Sequence, residues 1–141
     1  MTFAGVNYLA VFIAALAGFG FGAVYYMSLA KPWMDAVGWT AEQQAAHVKG
    51  ELNPSKLPFV IAIVANFVMA WVLAGLIAHM GAVTVRSGMI SAAFVWFGFV
   101  ITTQAVNYAF SGRKPILSVI DGGHWLGVLL IMGAVIGAFG V

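Results

Sequence analysis

Residues 116–139 read ILSVIDGGHWLGVLLIMGAVIGAF, and this stretch decides the fold. It contains one acidic side chain, Asp121, and neither Lys nor Arg. A helix needs roughly 20 apolar residues to cross the hydrocarbon core of a bilayer, which is about 30 Å thick. The stretch therefore predicts a membrane-spanning helix. A carboxyl group inside such a helix is costly enough to need a reason.

Three further apolar runs of spanning length precede this one, at residues 6–29, 57–80 and 88–110. They are apolar on all sides, whereas strands of a membrane barrel alternate apolar and polar residues in segments of about 10. Only 7% of the 141 residues are charged, against about 25% in soluble domains. The sequence predicts an all-α fold, a single transmembrane domain over residues 1–141, built as an integral membrane four-helix bundle.

The composition argues against several kinds of chemistry. The chain has no cysteine, which excludes disulfides, thiolate metal sites, iron–sulfur clusters and a catalytic thiol. The three histidines, His47, His79 and His124, fall in a loop, at a helix end and near mid-membrane. No haem, metal or other cofactor is therefore expected. Because no nucleophile, base and orienting group are visible together, we expect no enzyme.

Basic residues are distributed unevenly between the two sides of the predicted bundle. All but one of the six lie in the loops 30–56 and 111–115: Lys31, Lys49, Lys56, Arg113 and Lys114. The opposite side carries only Arg86. Cytoplasmic loops carry the excess of Lys and Arg, so we expect both termini outside the cytoplasm, in a bacterial inner membrane. Basic residues at helix ends anchor topology, so no nucleic-acid partner is expected.

The interfacial loop 30–56 contains a helix signal of its own. Thr40 and Gln43 have the spacing of a capping box. They predict a short amphipathic helix at residues 41–49, lying on the membrane in the first cytoplasmic loop. The alternative is a lid or docking element, with His47 and Glu51 as its polar contacts.

Small residues recur on three of the predicted spanning helices. Such residues let helix backbones approach closely in lipid. We expect them to mark the faces at which the protein packs, either internally or against a second copy or another subunit. The candidate packing residues are Ala14, Gly18, Gly22, Ala70, Ala74, Gly133 and Gly137.

Polar side chains from all four helices fall at similar depths. Counted from the nearest basic residue on the cytoplasmic side at about 1.5 Å per residue, they lie about 9–15 Å into the membrane. Residues three apart share a helix face, which pairs Asp121 with His124. The predicted intramembrane polar cluster consists of Asp121, His124, Asn107, Gln104, Asn66 and Tyr25.

This cluster has two interpretations. In the first, Asp121 accepts hydrogen bonds from Asn107, a tyrosine hydroxyl or His124, and the network locks the third and fourth helices together. Each such bond is worth about 1 kcal/mol or less in a membrane. In the second, the cluster is a solute or proton site in which an acid and a histidine titrate together.

Several short motifs carry a family resemblance along nearly the whole chain. Their order and spacing resemble those of the small bacterial membrane proteins in the domain of unknown function 1761 family, in which Trp is expected more often than Tyr25. The resemblance implies four spanning helices and no established activity, so it supplies no catalytic residues. The motifs are Asn7-Tyr8, Gly22-Ala23-Val24-Tyr25-Tyr26, Lys31-Pro32-Trp33-Met34 with Gly38 and Thr40, Gly88, Trp96-Phe97-Gly98-Phe99, Asn107-Tyr108-Ala109-Phe110 and Asp121-Gly122-Gly123-His124.

Two functions remain in view. The first is a non-enzymatic membrane component, either a homo-oligomer or an accessory subunit, because four helices barely enclose a private pathway. The alternative is a small transporter or channel whose site uses Asp121, His124, Asn107 and Asn66. The expected partners are the lipid bilayer and a second copy of the chain or another membrane subunit.

Overall fold

The computed structural model describes residues 2–3, 5–52 and 55–140. A short antiparallel hairpin of β1 (Thr2–Phe3) and β2 (Val6–Asn7) precedes the helices. The described residues form six helices: α1 (Tyr8–Ser28), α2 (Ala30–Val37), α3 (Ala41–Val48), α4 (Leu57–His79), α5 (Val85–Phe110) and α6 (Pro115–Phe139).

Four of these helices, α1, α4, α5 and α6, are long and apolar enough to cross a membrane. They correspond to the four predicted spans. The predicted number of helices was nevertheless too low, because residues 30–37 form the separate helix α2. This helix buries Met34 and Ala36 and ends at Gly38, whose φ of 89° favours glycine.

Helix α6 lies at the centre of the bundle. It packs against α1 and against α5, while α4 lies beside α1. In its most apolar 18-residue window 50% of α6 is buried, against 11% for α5. The largest fully buried side chains come from α4 and α6: Leu73, Ile77, Val128, Met132 and Ile136. Polar groups on α6 are therefore close to several neighbouring elements.

Small residues form the closest helix contacts. A Cβ added to Gly88 would collide with the carbonyl oxygen of Gly133, and a Cβ on Gly133 would collide with that of Gly88. Gly137 has the same relationship with the carbonyl oxygen of Thr84. All seven packing residues predicted from the sequence are buried within the chain. They are used internally, so the expectation that a second copy packs on these faces is not supported by their position.

The short helix α3 begins with the predicted capping box. Thr40 Oγ1 accepts a hydrogen bond from the Gln43 backbone N–H at 3.2 Å, and Gln43 Oε1 accepts one from the Thr40 N–H at 2.9 Å. This prediction is confirmed. No residue of α3 is buried. Its link to α2 is the hydrogen bond that Gln44 Nε2 donates to Asp35 Oδ1 at 2.8 Å.

Helix α5 is interrupted by a π-helical segment at Trp96–Val100, between α-helical Val85–Val95 and Ile101–Phe110. A π turn adds one residue to the regular helical repeat. Residues on either side of it therefore share a face that an uninterrupted α-helix would separate.

Candidate functional site

The carboxyl group of Asp121 is the centre of the site. It is 8% exposed, and each of its oxygens accepts hydrogen bonds. Tyr26 of α1 donates its hydroxyl to Oδ1 at 2.6 Å, and Trp33 of α2 donates its indole N–H to the same oxygen at 3.2 Å. Tyr108 of α5 donates its hydroxyl to Oδ2 at 2.6 Å. Asp121 therefore joins three other elements to α6.

Two glycines after Asp121 allow these elements to approach. The Gly122 carbonyl accepts a hydrogen bond from Trp96 Nε1 at 2.8 Å. A Cβ on Gly123 would lie 2.8 Å from the hydroxyl oxygen of Tyr25, which itself donates to the Ile120 carbonyl at 2.6 Å. The two glycines thus let Trp96 and Tyr25 approach the backbone of α6 beside the carboxyl group.

The π segment aligns the donors of α5. Trp96 is the first residue of the segment, whereas Gln104 and Tyr108 follow it. Gln104 Nε2 donates a hydrogen bond to the Ser118 carbonyl at 3.0 Å. In a regular α-helix, residues eight positions apart are turned by about 80° from each other. One extra residue in the π turn reduces this difference to about 20°. All three side chains therefore reach α6.

The sequence-predicted residues divide into those near the carboxyl group and those away from it. Tyr25 and His124 lie beside the cluster around Asp121, and Gln104 reaches α6 through a backbone carbonyl. Asn107 does not belong to it, because its side chain is exposed. Consecutive helical residues point about 100° apart, and it is the neighbouring Tyr108 that faces Asp121.

The sequence prediction allowed a tyrosine hydroxyl as a donor to Asp121, and the structure shows two. It did not name the three donor residues, which are Tyr26, Trp33 and Tyr108. Each stands in one of the motifs that carry the family resemblance. Aromatic residues are common at membrane interfaces, so their presence alone does not show which of them faces Asp121. The useful signal was the presence of a hydroxyl or indole N–H at the depth of Asp121.

His124 packs against aromatic rings and against Gly22. Its ring centroid lies 4.7 Å from that of Tyr26 and 4.4 Å from that of Trp125. A Cβ on Gly22 would lie 2.6 Å from His124 Nε2. The side chain is 6% exposed, and its Nδ1 is buried with no hydrogen-bond partner among the described residues.

Asn66 lies on the face of α4 that meets α1. It is 4% exposed, and its Nδ2 donates to the Ala62 carbonyl at 2.8 Å. Its Oδ1 is buried without a partner in the described part of the chain, and a Cβ on Gly18 would lie 2.9 Å from it. Asn66 and His124 therefore each pack against a glycine of α1. Asn66 makes no hydrogen bond to Asp121.

A cavity of about 570 Å³ adjoins the cluster. It lies between α1, α4 and α6, with His47 of α3 at its wall. Its polar lining comes from Tyr26, His47, Asn66 and His124, and none of the described residues that line it is Asp, Glu, Lys or Arg. Within residues 2–3, 5–52 and 55–140, no group of three His, Cys, Asp or Glu could hold a metal ion.

Outside the spanning helices, Asp35 links α2 to its surroundings. It accepts hydrogen bonds from Gln44 and from the ammonium group of Lys31, at 3.3 Å for the shorter Lys31 contact. The Gln44 hydrogen bond first, and then the Lys31 hydrogen bond and charge, lower the pKa of Asp35. Lys114 donates to the Asp35 carbonyl at 3.2 Å, so the two basic loops meet at one end of the bundle.

Comparison with known families gives one match. The family described as "Protein of unknown function (DUF1761)" matches residues 9–137. The chain belongs to this family. The matched region contains Asp121 with its three donors, as well as Asn66 and His124. No curated protein and no solved structure matches the chain.

Proposed function

We propose that this chain is a multipass protein of the bacterial inner membrane that acts as a non-enzymatic subunit, assembling with copies of itself or with another membrane protein. One observation carries the proposal. Both oxygens of the buried Asp121 are occupied by donors from three other elements. A carboxyl group used in this way holds helices together, as polar groups do in membrane bundles.

Exposed apolar surface supports membrane insertion. Large side chains cover the outside of α5, where Phe94, Phe97, Phe99 and Phe110 are all exposed. Soluble monomers rarely expose contiguous apolar patches of more than a few hundred Å². The basic loops meet at the end of the bundle that carries Lys114 and Asp35, and the preference of Lys and Arg for the cytoplasm assigns that end inward and both termini outward.

The outer face of α5 is the best candidate for self-association. Its exposed small residues follow one another at spacings of four, three and four: Gly98, Thr102, Ala105 and Ala109. Thr102 Oγ1 donates to the Gly98 carbonyl at 2.8 Å, which leaves little side chain projecting from this face. A surface of this kind lets another helix approach closely. The small-residue faces that contain Gly18, Gly88 and Gly133 are already in contact with other helices of the chain.

A matched pair of glycine variants tests this surface. A Cβ on Gly98 or on Gly20 meets nothing within 4 Å, so each position accepts a side chain in the monomer. We expect Gly98→Leu to shift the oligomer toward monomer, and Gly20→Leu, on α1, to leave it unchanged. The measurement is molar mass in mild detergent, with single-molecule photobleaching in vesicles as a second readout. A wild-type chain that is monomeric in both would refute self-association.

A transporter or channel is the second candidate, because His124 and Asn66 line a cavity beside Asp121. Asp121→Asn separates the two functions when assembly and proton-coupled flux are both measured in vesicles. Loss of stability or assembly, with no flux in the wild type, supports the structural subunit. A pH-dependent wild-type flux that the substitution abolishes, with assembly intact, supports the transporter.

A further inference from the structure

The cavity between α1, α4 and α6 contains the two polar side chains whose hydrogen bonding is incomplete. Asn66 Oδ1 and His124 Nδ1 are the buried side-chain polar atoms without a partner in the described residues. Both residues line this cavity, although they come from different helices. A buried polar atom left unpaired costs about 1–3 kcal/mol. Two such residues at one cavity point to something that binds there.

The lining determines the chemistry of the occupant. Asn66 has already used its amide N–H on the Ala62 carbonyl, so its Oδ1 needs a donor. His124 can donate or accept, depending on its tautomer. No charged side chain among the described lining residues would compensate an ion. These features favour a neutral occupant that carries a hydrogen-bond donor, such as a hydroxyl group.

The remaining lining favours an aromatic ring. Phe19, Phe59 and Trp125 contribute ring surfaces to the cavity, and aromatic rings prefer offset or edge-on contact with one another. The volume of about 570 Å³ falls within the range of about 300–1,000 Å³ found for small-molecule sites.

The two polar side chains lie about one helical turn apart along α1. Asn66 Oδ1 adjoins Gly18, and the His124 ring adjoins Gly22 through Nε2, whereas its unpartnered nitrogen is Nδ1. The two glycines are separated by a rise of about 6 Å, so one ring with two hydroxyl groups can reach both side chains. We propose that the cavity binds a neutral, lipid-soluble phenolic compound, with one ring hydroxyl donating to Asn66 and another bonding to His124. Asn66 Oδ1 and His124 Nδ1 are shielded from solvent, so binding requires the Asn66 amide and the His124 ring to turn toward the cavity.

The test compares two ligands that differ only in their hydroxyl groups. The full-length protein in detergent is titrated calorimetrically with 4-hexylresorcinol and with its dimethyl ether, and empty micelles serve as the blank. We expect one saturable site for the diol and at least tenfold weaker binding of the ether. Equal affinity for the two, or no saturable binding of the diol, would overturn the proposal and leave water as the partner of these atoms.

Three variants on α4 locate the site. Asn66→Leu keeps the side-chain size and removes the acceptor. It should weaken binding of the diol at least tenfold and leave the affinity for the ether unchanged. Ala62→Phe should fill the cavity and weaken both ligands. Val64→Phe, at an exposed position outside the cavity lining, should affect neither. Unchanged diol binding in Asn66→Leu contradicts the proposal. If Ala62→Phe does not fold, the comparison of diol and ether binding in the wild type and in Asn66→Leu still tests the proposal.

Discussion

Tyr26 and Tyr108 donate their hydroxyl groups to different oxygens of one carboxyl group, each at 2.6 Å. They come from α1 and α5, helices that each pack extensively against α6. Asp121 therefore forms hydrogen bonds to both of the helices that pack on either side of α6. The contribution of each hydroxyl can be measured by removing it without changing the ring.

Tyr26→Phe and Tyr108→Phe should each lower the free energy of unfolding by about 1–2 kcal/mol, since each leaves a buried carboxyl oxygen with one donor fewer. Reversible unfolding in mixed micelles measures the change. Tyr8→Phe, at the start of α1 and distant in sequence from both, serves as the matched control. Because the two hydroxyls share Asp121, the double variant should depart from additivity by more than about 0.5 kcal/mol. Strict additivity would show that they act independently.

Gly88→Ala should destabilise the bundle by at least about 1–3 kcal/mol, because its new methyl group meets the carbonyl oxygen of Gly133 on α6. Backbone atoms cannot move aside as a flexible side chain can. Gly75→Ala on α4 is the control, since a Cβ there meets nothing within 4 Å. It should be neutral or stabilising by up to about 1 kcal/mol through helix propensity. Thermal unfolding of both variants checks the difference in sign.

Trp33→Phe should loosen the attachment of α2 to the bundle, because it removes the indole N–H through which α2 donates a hydrogen bond to Asp121. The loop that follows should then be cleaved severalfold faster by trypsin, at Lys49 and Lys56. Trp71→Phe removes the same group from an exposed position on α4 and should leave the rate unchanged. Equal rates in wild type and Trp33→Phe would mean that packing alone holds α2.

Acid should detach α3 from α2. The hydrogen bond from Gln44 favours the ionised form of Asp35, and its pKa is lowered below the ordinary value of 3.8. The stabilisation is therefore present above that value and is lost as pH falls through the lowered pKa. Hydrogen exchange of α3, corrected for intrinsic rates and followed from about pH 6 down to about pH 2, below the ordinary pKa of Asp, should show the loss. Asp35→Asn should remove the pH dependence.

The sequence was most informative where hydrophobic length and spacing decide the structure. The four long helices, the Thr40–Gln43 capping box and the helix of α3 follow from those patterns alone. Helix α2 was missed because residues 30–40 were assigned to the interfacial loop, although the proline at position 32 is tolerated in the first turn of a helix. Small residues were placed at helix contacts, but spacing cannot tell whether the contact lies within one chain or between two.

The site was harder to predict than the fold. Counting residues along the chain gives depth, and depth correctly drew attention to Asp121. It does not give rotation about the helix axis, which decides between Asn107 and Tyr108. A pattern based on 3.6 residues per turn has no way to anticipate the π segment at Trp96–Val100. The side of α5 on which each residue after the π segment lies could therefore be learned only from the structure.

That segment gives the length of α5 a meaning separate from its composition. Removing one residue inside the segment, such as Gly98, would restore an even helical repeat without turning the residues that follow, because a π turn absorbs one extra residue. Tyr108 would still face the carboxyl group, and the hydrophobicity of the helix would hardly change. Removing a residue without losing the π turn would instead rotate everything after the deletion by about 100°. Among relatives, a one-residue gap at Trp96–Val100 is therefore compatible with the same contacts to Asp121, and the segment marks the place where α5 tolerates a change of length.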